Sequence, residues 1–383
     1  MSAPRIAIAG AGPVGLALAC ACRGFEVLLV EAAARAPDVP EGFDVRILAL
    51  SSGTRAFLRD IGAWDRLDAR RVTPVHRMEV FGDGGSRLAF SGRPGTPLAW
   101  IVEAGRLAAA LEGQATSLEG VSVRRDTHAS SVAAAAGGVR VALSDGTSID
   151  ADLLVGADGP DSSVRSFLGL EAHERSYGEI AVVANFETER DHGNVARQWF
   201  RTDGVLAWLP LPGRRISIVW SAPAAEGEAI AALEAAALAE RVRDAGGGAL
   251  GELACISRVA TFPLRQLSVE RVVAPGAALV GDAAHAIHPL AGQGVNLGFQ
   301  DARALAAELE ARSPLERPGD LRVLHRYARG RREEVAAMQF VTDGLDRLFA
   351  SRASGVAWLR NAGLSLVDRQ PLVKGALLER AVR

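Results

Sequence analysis

Two stretches of the chain set glycines, acidic residues and apolar runs at spacings that suit a phosphate-bearing ligand. In the first, the apolar run Arg5–Ala9 meets Gly10-Ala11-Gly12-Pro13-Val14-Gly15, a helical pattern follows over Leu16–Arg23, and a second apolar run, Val27–Val30, ends at Glu31. Each part of this strand–GxGxxG–helix–strand–acid unit has a physical reason. Gly10 makes the tight turn, Gly12 lets a pyrophosphate approach the backbone, Gly15 lets helix pack on strand, and Glu31, 21 residues after Gly10, accepts hydrogen bonds from a ribose. The unit predicts a dinucleotide site and does not by itself separate FAD from NAD.

The second stretch is Val280–Asp301. The apolar run Ala277–Val280 reads as a buried strand that stops at Gly281-Asp282; His285, His288, Pro289 and the turn Gly292-Gln293-Gly294 follow, and then a helix over Val295–Glu308 with Leu297, Phe299, Ala302 and Leu305 on its apolar positions. A strand that ends in a Gly-rich turn feeding a helix start aims backbone N–H groups at an anionic or electron-rich ligand, although an ordinary strand–loop–helix has the same outline. A similar strand end recurs at Leu153-Leu154-Val155-Gly156-Ala157-Asp158-Gly159, where Ser162 or Ser163 suits the cap of a helix carrying Val164 and Arg165. Two such ends far apart in sequence suggest one face of one sheet holding one large ligand. Arg46, alone among apolar neighbours, reads equally as a surface residue or as a phosphate partner.

These motifs need a frame, and 383 residues with 49% hydrophobic and 23% charged content form a globular chain with a sizeable core. A net charge of −2 argues against generic nucleic-acid binding. Cys20, Cys22 and Cys255 are too few and too scattered for a disulfide framework or a zinc site, no metal is expected, and a reducing cytoplasm fits. There is no secretory signal pattern and no window of about 18 uncharged apolar residues, so no transmembrane helix is expected. Lys374 is the one lysine among many arginines.

Helices are expected at Thr54–Ile61, capped by Ser51 or Ser52, at Leu107–Leu111 and through the alanine-rich Glu226–Ala245. Strands are expected over Val75–Phe90, with a hairpin turn at Gly82-Asp83-Gly84-Gly85, and Val121–Asp126, Val139–Leu143 and Ser148–Leu153 read as a three-strand group. Ile180–Phe186, Ala196–Phe200, Gly204–Pro210 and Arg215–Trp220 suggest a separate antiparallel sheet. Leu345–Arg383 interleaves apolar residues with Arg347, Arg352, Arg360, Arg369, Lys374 and Arg380, which suits either a surface helix bundle or a basic amphipathic tail.

Together, GAGPVG with Glu31, LLVGADGPDSSVR and LVGDAAHAIHPLAGQGVNLGFQDA resemble the single-component flavin aromatic hydroxylases that share the p-hydroxybenzoate hydroxylase fold. The stretches FDVRILALSSGT, VARQWFRTDGVLAWLPLP and LFASRASGVAWLRNAGLSLVDRQPLVK resemble, more narrowly, the ubiquinone-biosynthesis hydroxylases. The resemblance implies an α/β fold: a Rossmann-like FAD-binding domain in three parts (1–72, 100–175 and 263–345), an inserted antiparallel-sheet substrate domain (73–99 and 176–262) and a helical basic tail (346–383). It implies FAD held by Gly10, Gly12, Pro13, Val14, Gly15, Glu31, Arg46, Arg106, Asp158, Asp282, Gly292, Gly294, Val295 and Asn296. Pro289, Gly292 and Gln293 would face the flavin ring, and Gln198, Phe200, Trp208 and Leu209 would wall the substrate. Gly105 stands where family members often carry Asn.

The implied chemistry is ring hydroxylation of a lipophilic quinone precursor through a flavin C4a-hydroperoxide, with O2 as oxidant and NADH, NADPH or a separate redox protein as electron donor. No side-chain nucleophile is required, and His285 and His288 read as members of a rigid turn before they read as a general base. The polyprenyl tail of such a substrate gives the basic tail a purpose at the inner membrane surface, on a lipid-binding partner or among other ubiquinone-biosynthesis proteins. A hydroxylase of a soluble aromatic metabolite and a flavin-bound reductase or electron carrier are the competing expectations.

Overall fold

The computed structural model describes residues 3–350 apart from 37, 38, 40, 93, 94, 202 and 288–293. At its centre is a six-stranded sheet in the order Val273–Ala274, Ala277–Leu279, Leu153–Gly156, Arg5–Ala9, Glu26–Glu31, Val121–Arg125. Only the short Val273–Ala274 edge is antiparallel to its neighbour; the other five strands run parallel. Ile6, Ile8, Leu29, Leu153 and Val155 are fully buried in it, as expected of a parallel sheet covered on both faces. Arg5–Ala9 lies between the strand that follows it and one from far along the chain. Its carboxyl end is therefore the point where the connections part, which is where open α/β sheets bind their ligands.

The second large sheet has nine strands, led by the long Ala172–Thr188, with Arg215–Pro223, Gly204–Leu211 and Val195–Arg201 on one side and Ala260–Val269 on the other. The Arg77–Phe81 and Arg87–Ser91 hairpin completes its far edge, turning at Gly82 to Ser86. All its pairings are antiparallel except one, Val195–Arg201 against Arg77–Phe81. Helices Ala224–Ala231 and Ala235–Ala245 cover one face, where Phe186, Leu206, Trp208, Ile218 and Trp220 form a core. The opposite face packs Leu209 and Leu211 on Phe43, Ile47, Val75 and Ile101, which belong to or adjoin a small sheet of Ile47–Ser51, Ala99–Glu103 and Thr73–Val75.

Three sequence expectations need correction. Val121–Arg125 joins the parallel sheet beside Glu26–Glu31, and the third member of the small antiparallel group is Ala129–Ala135. Alanine- and serine-rich, that strand carries too weak an alternation to be read against its neighbours. Ser148–Leu153 is two strands, Ser148–Ala151 and Leu153–Gly156, which belong to different sheets. The Glu226–Ala245 helix is two, separated between Ala231 and Ala235. High alanine content favours helix but carries no information about where the chain must turn.

The helix Pro13–Ala21 packs on the helix Gly294–Glu310 with very little room. A Cβ at Gly298 would stand 2.7 Å from Val14 Cγ2 and 3.2 Å from Gly281 Cα. Gly298→Ala is expected to destabilise by about 1–3 kcal/mol through overpacking, measurable as a lowered denaturation midpoint. Burial pushes the Cys20 and Cys22 thiols up to about 12, while Cys255 is half-buried. Alkylation of the native protein at neutral pH is expected to modify Cys255 first and to reach Cys20 and Cys22 only on unfolding; equal labelling of all three would contradict this.

Candidate cofactor and active site

Four of the parallel strands bring Gly10, Glu31, Asp158 and Asp282 to one edge of the sheet. Gly10 has φ +100°, and a Cβ there would stand 2.3 Å from Ala157 O, so the turn admits only glycine without rearrangement. Gly10 N–H donates to Val30 O at 2.8 Å. Gly12 caps the helix with extended backbone, Pro13 occupies its first turn, and a Cβ on Gly12 would meet nothing within 4 Å. The N–H groups of that first turn therefore face open space, the arrangement that receives a phosphate. Glu31 takes Ala11 N–H at 2.7 Å and Ala33 N–H at 3.0 Å, one on each carboxylate oxygen, which fixes the acid and leaves lone pairs for a diol.

Asp158 acts first on its own segment. Its carboxylate accepts from Ser162 Oγ at 2.5 Å, Ser163 Oγ at 3.1 Å and Val164 N–H at 3.1 Å, and Ser162 caps the short helix Ser163–Phe167. Arg165 then ties that helix to the neighbouring strand end by donating to Ala283 O at 3.0 Å and Pro160 O at 2.8 Å.

Arg46 and Arg106 lie on neighbouring segments joined through acids. Glu103, fully buried, holds Arg71 in a bidentate pair at 2.7 and 2.8 Å, Arg106 at 3.0 Å and the Asp44 N–H at 2.8 Å. Asp44 in turn accepts from Gly105 N–H at 2.9 Å and Arg46 N–H at 3.0 Å. Gly105 contributes through its backbone, so the geometry here does not need the family's asparagine. The Arg46 guanidinium is exposed, stands 5.8 Å from the Phe262 ring centroid and attracts Asp282 electrostatically.

Asp282 opens a short turn, Gly281–Ala283, after the Ala277–Leu279 strand. Its side chain reaches solvent, and the surrounding protein raises its carboxyl above the usual range against the pull of His285, Arg46 and Arg265. Gly294 begins the helix with open space at its Cβ position, and Val295 is in the same first turn. Asn296 uses its side chain as a bolt. Its Oδ1 accepts from Ser51 N–H at 2.9 Å and Thr54 Oγ1 at 2.8 Å, and its Nδ2 donates to Ala49 O at 2.8 Å. Pro289, Gly292, Gln293 and His288 lie outside the described residues.

Of the four wall candidates, Gln198, Phe200 and Leu209 share the face of the nine-stranded sheet turned toward the small sheet, and Trp208 does not. Trp208 and Leu209 are consecutive in one strand, so they must point to opposite faces. Trp208 packs among the covering helices, 4.7 Å from the Trp199 ring, where a Cβ on Gly246 would collide with it. Phe200 is occupied with Val80 and Leu88 of the edge hairpin. Leu209 packs beside Phe43, Ile47 and Ala49. Gln198 is buried, cross-strand from Ala207. Buried Asn185, cross-strand from Ser217, belongs to the same face and was not anticipated; its amide donates to Asp44 O at 2.9 Å and so ties the Arg46 segment to the sheet.

The sequence reading also missed the charges beneath the Asp282 turn. Asp301, fully buried on the Gly294–Glu310 helix, accepts from Gly281 N–H at 2.9 Å, His285 Nε2 at 2.6 Å and Arg331 Nε at 2.7 Å. A signal was present: Asp301 falls four residues after Leu297 and four before Leu305, on the apolar stripe. His285 is thus a structural partner in a rigid turn.

Burial alone would neutralise His285, but the adjacent Asp301 carboxylate wins and raises the imidazole above its usual range; burial likewise opposes Asp301 ionisation, and His285 with Arg331 still lowers it. A raised histidine stabilises fully below its unfolded value and is lost as pH rises through its folded one. A lowered aspartate stabilises above its unfolded value and is lost as pH falls through its folded one. The wild-type protein is therefore expected to lose stability as pH rises above the ordinary imidazole value of 6.5 by a component absent from His285→Gln, read from denaturation midpoints across pH. Parallel profiles for the two proteins would rule the contribution out. Trp208→Ala should cost about 3–5 kcal/mol of stability, as expected for a core aromatic.

Known proteins match this chain in sequence and in fold. The family described as FAD binding domain matches residues 4–341. Ubiquinone hydroxylase UbiL of Rhodospirillum rubrum is 32% identical, with 100% of this chain and 90% of that protein covered. The 3-demethoxyubiquinol 3-hydroxylase of Escherichia coli is 34% identical, with 99% and 98% covered. Among solved structures, P. aeruginosa PqsL in complex with 2-aminobenzoylacetate has a TM-score of 0.77 at 24% identity, covering 94% of this chain and 99% of its own. Klebsiella pneumoniae HpxO complexed with FAD and uric acid has a TM-score of 0.76 at 18% identity, covering 99% and 97%. Those two likenesses bear on the fold alone. By the family match and by relatives similar along its whole length, the chain belongs to the ubiquinone-biosynthesis flavin hydroxylases, FAD-dependent monooxygenases of the p-hydroxybenzoate hydroxylase fold.

Proposed function

We propose that this protein hydroxylates the aromatic ring of a lipophilic, polyprenylated phenol or quinol on the way to ubiquinone. The observation that carries the reading is the meeting of two helix starts, at Gly12 and at Gly294, beside Asp282 on the edge of the parallel sheet. One start suits the pyrophosphate of FAD and the other suits the electron-rich edge of the flavin ring. One whole-length relative is named for ubiquinone and the other for a demethoxyubiquinol, which supports the substrate class.

In this reading Gly10, Gly12, Pro13, Val14 and Gly15 receive the pyrophosphate, Glu31 the adenosine ribose, and Asp282 with Arg46 and Arg106 the ribityl and phosphate region. Asp158 supports the nucleotide site through the segment it caps, and the backbone of Gly294, Val295 and Asn296 offers N–H groups to the ring. Pro289, Gly292 and Gln293 are assigned to the flavin-facing segment from sequence. Reduced FAD, when bound, supplies the electrons and with O2 the oxygen atom that enters the ring, NADH, NADPH or a redox protein being the donor.

The protein's own part is to position the substrate ring and exclude water. Leu209 with Phe43 and Ile47 offers an apolar wall, and Gln198 offers one amide to orient a ring oxygen. Trp208, on the covering-helix side, is left out of that wall. No helix among the described residues is long and apolar enough to cross a membrane. We assign the protein to the cytoplasm, with the basic tail as a peripheral contact to the inner membrane surface, to a lipid-binding partner or to other proteins of ubiquinone biosynthesis; the tail itself lies outside the described residues.

Purified protein is expected to carry FAD and to oxidise NADH or NADPH with stoichiometric hydroxylation of a demethoxy- or deoxy-quinol. Cells lacking the gene should accumulate the unhydroxylated precursor; an unchanged quinone profile would sink the proposal. Arg46→Ala is expected to weaken FAD binding by roughly 10-fold, as for loss of a charge-assisted contact, with little change in thermal stability because the side chain is exposed. Liposome flotation with and without residues 351–383 tests the tail, and equal binding would remove it from the account.

A further inference from the structure

Three separate elements converge on the Asp301 carboxylate. The turn before Asp282 donates through Gly281 N–H, the strand after it through His285 Nε2, and the long helix Leu321–Ala350 through Arg331 Nε. Asp301 itself belongs to the helix whose first turn holds Gly294, Val295 and Asn296. Arg331 reinforces the junction by donating to Leu297 O at 3.3 Å and pairing with Glu334. The charges facing His285 are Asp301 and Arg331 from the two helices and Asp282 from its own turn.

Fixing a fold does not require this arrangement. The same helix is already held by apolar burial at Leu297, Phe299, Ala302, Leu305 and Leu309, and replacing a buried ion cluster with well-packed apolar residues is often neutral or stabilising. What the cluster adds is direction. A carboxylate bonded to three fixed donors sets the distance between the Asp282 turn and the Gly294 helix start to within the tolerance of short hydrogen bonds, which apolar contacts do not do.

We propose that Asp301 is a positioning residue that holds the Asp282 turn and the Gly294 helix start in one register, and that Arg331 makes the long C-terminal helix part of that setting. The inference rests on the reading of these two elements as the groups that receive FAD. It assigns to Arg331, which contacts neither element's ligand-facing atoms, an effect on the cofactor.

The test compares wild type, Asp301→Asn, Arg331→Met and Arg331→Lys with Tyr327→Phe, which removes a neighbouring buried bond from Tyr327 Oη to Leu279 O at 2.8 Å and leaves every hydrogen bond of the cluster in place. Apoprotein is titrated with FAD, and affinity, visible absorbance and flavin fluorescence are recorded beside the melting temperature. Asp301→Asn and Arg331→Met are expected to weaken FAD binding by roughly 10-fold and to shift the flavin spectrum, with Arg331→Lys intermediate. Tyr327→Phe should lower the melting temperature while leaving affinity and spectrum as in wild type. The proposal is overturned if the cluster variants lose only melting temperature, or if Tyr327→Phe changes the flavin signals as they do. Should Asp301→Asn and Arg331→Met fail to fold, Arg331→Lys decides: a spectrum and affinity identical to wild type overturns the proposal. Wild-type protein that takes up no FAD would instead overturn the cofactor reading.

Discussion

The close approach of Val14 to Gly281 and Gly298 is the constraint from which the rest of the site follows. Because neither glycine carries a side chain, the helix that begins at Pro13 and the helix that begins at Gly294 start side by side, with the Asp282 turn against them. Helix starts concentrate unpaired N–H groups and partial positive charge. Two of them at one sheet edge favour a ligand with an anionic part and an electron-rich part within one molecule. A larger residue at either glycine would separate the two starts and leave each as an ordinary surface feature.

Charge is arranged around this contact in two tiers. Below it, Asp301, His285 and Arg331 are buried and bonded to one another. Beside it, Glu103 gathers Arg71, Arg106 and the Asp44 segment that carries Arg46. In both tiers a buried carboxylate has every oxygen engaged, as burial of an ion demands. The exposed charges, Arg46 and Asp282, are the ones left to a ligand. Rigid ions inside and available ions outside is the division expected of a preorganised binding site.

Much of this was legible in the chain. The Gly10–Glu31 unit announces itself because glycine placement, helix start and acid spacing are local and chemically specific. Asp158 and Asp282 were found because each follows a buried strand. Trp208 and Leu209 are both named on alternation and resemblance, although consecutive residues of one strand face opposite ways, and Trp208 takes the side under the covering helices. Asp301 receives no role from the sequence reading, although its place on the apolar stripe marks it as buried. Val121–Arg125 was assigned to the wrong sheet because pairing partners are decided by long-range packing that a strand's own pattern does not encode. The pairing of Asn185 with the Asp44 segment has no local signature at all, since it joins distant parts of the chain.

The lone parallel seam between Arg77–Phe81 and Val195–Arg201 carries a consequence for how the molecule is made. The edge hairpin is synthesised early, yet the strand it pairs with arrives only after the intervening chain, which supplies Val121–Arg125 and Leu153–Gly156 of the parallel sheet, has emerged. Closing so long a loop is slow, because its entropy is spent before the contact is gained. Until then the hairpin keeps Val80, Leu88 and Phe90 without their partner Phe200. A nascent chain at that stage presents an unpaired strand edge and an apolar patch together, the two features that recruit chaperones and seed aggregation. The seam thus closes while the Ala277–Leu279 strand, the Asp282 turn and the Gly294–Glu310 helix are still to come, so neither sheet can be finished before the other has begun.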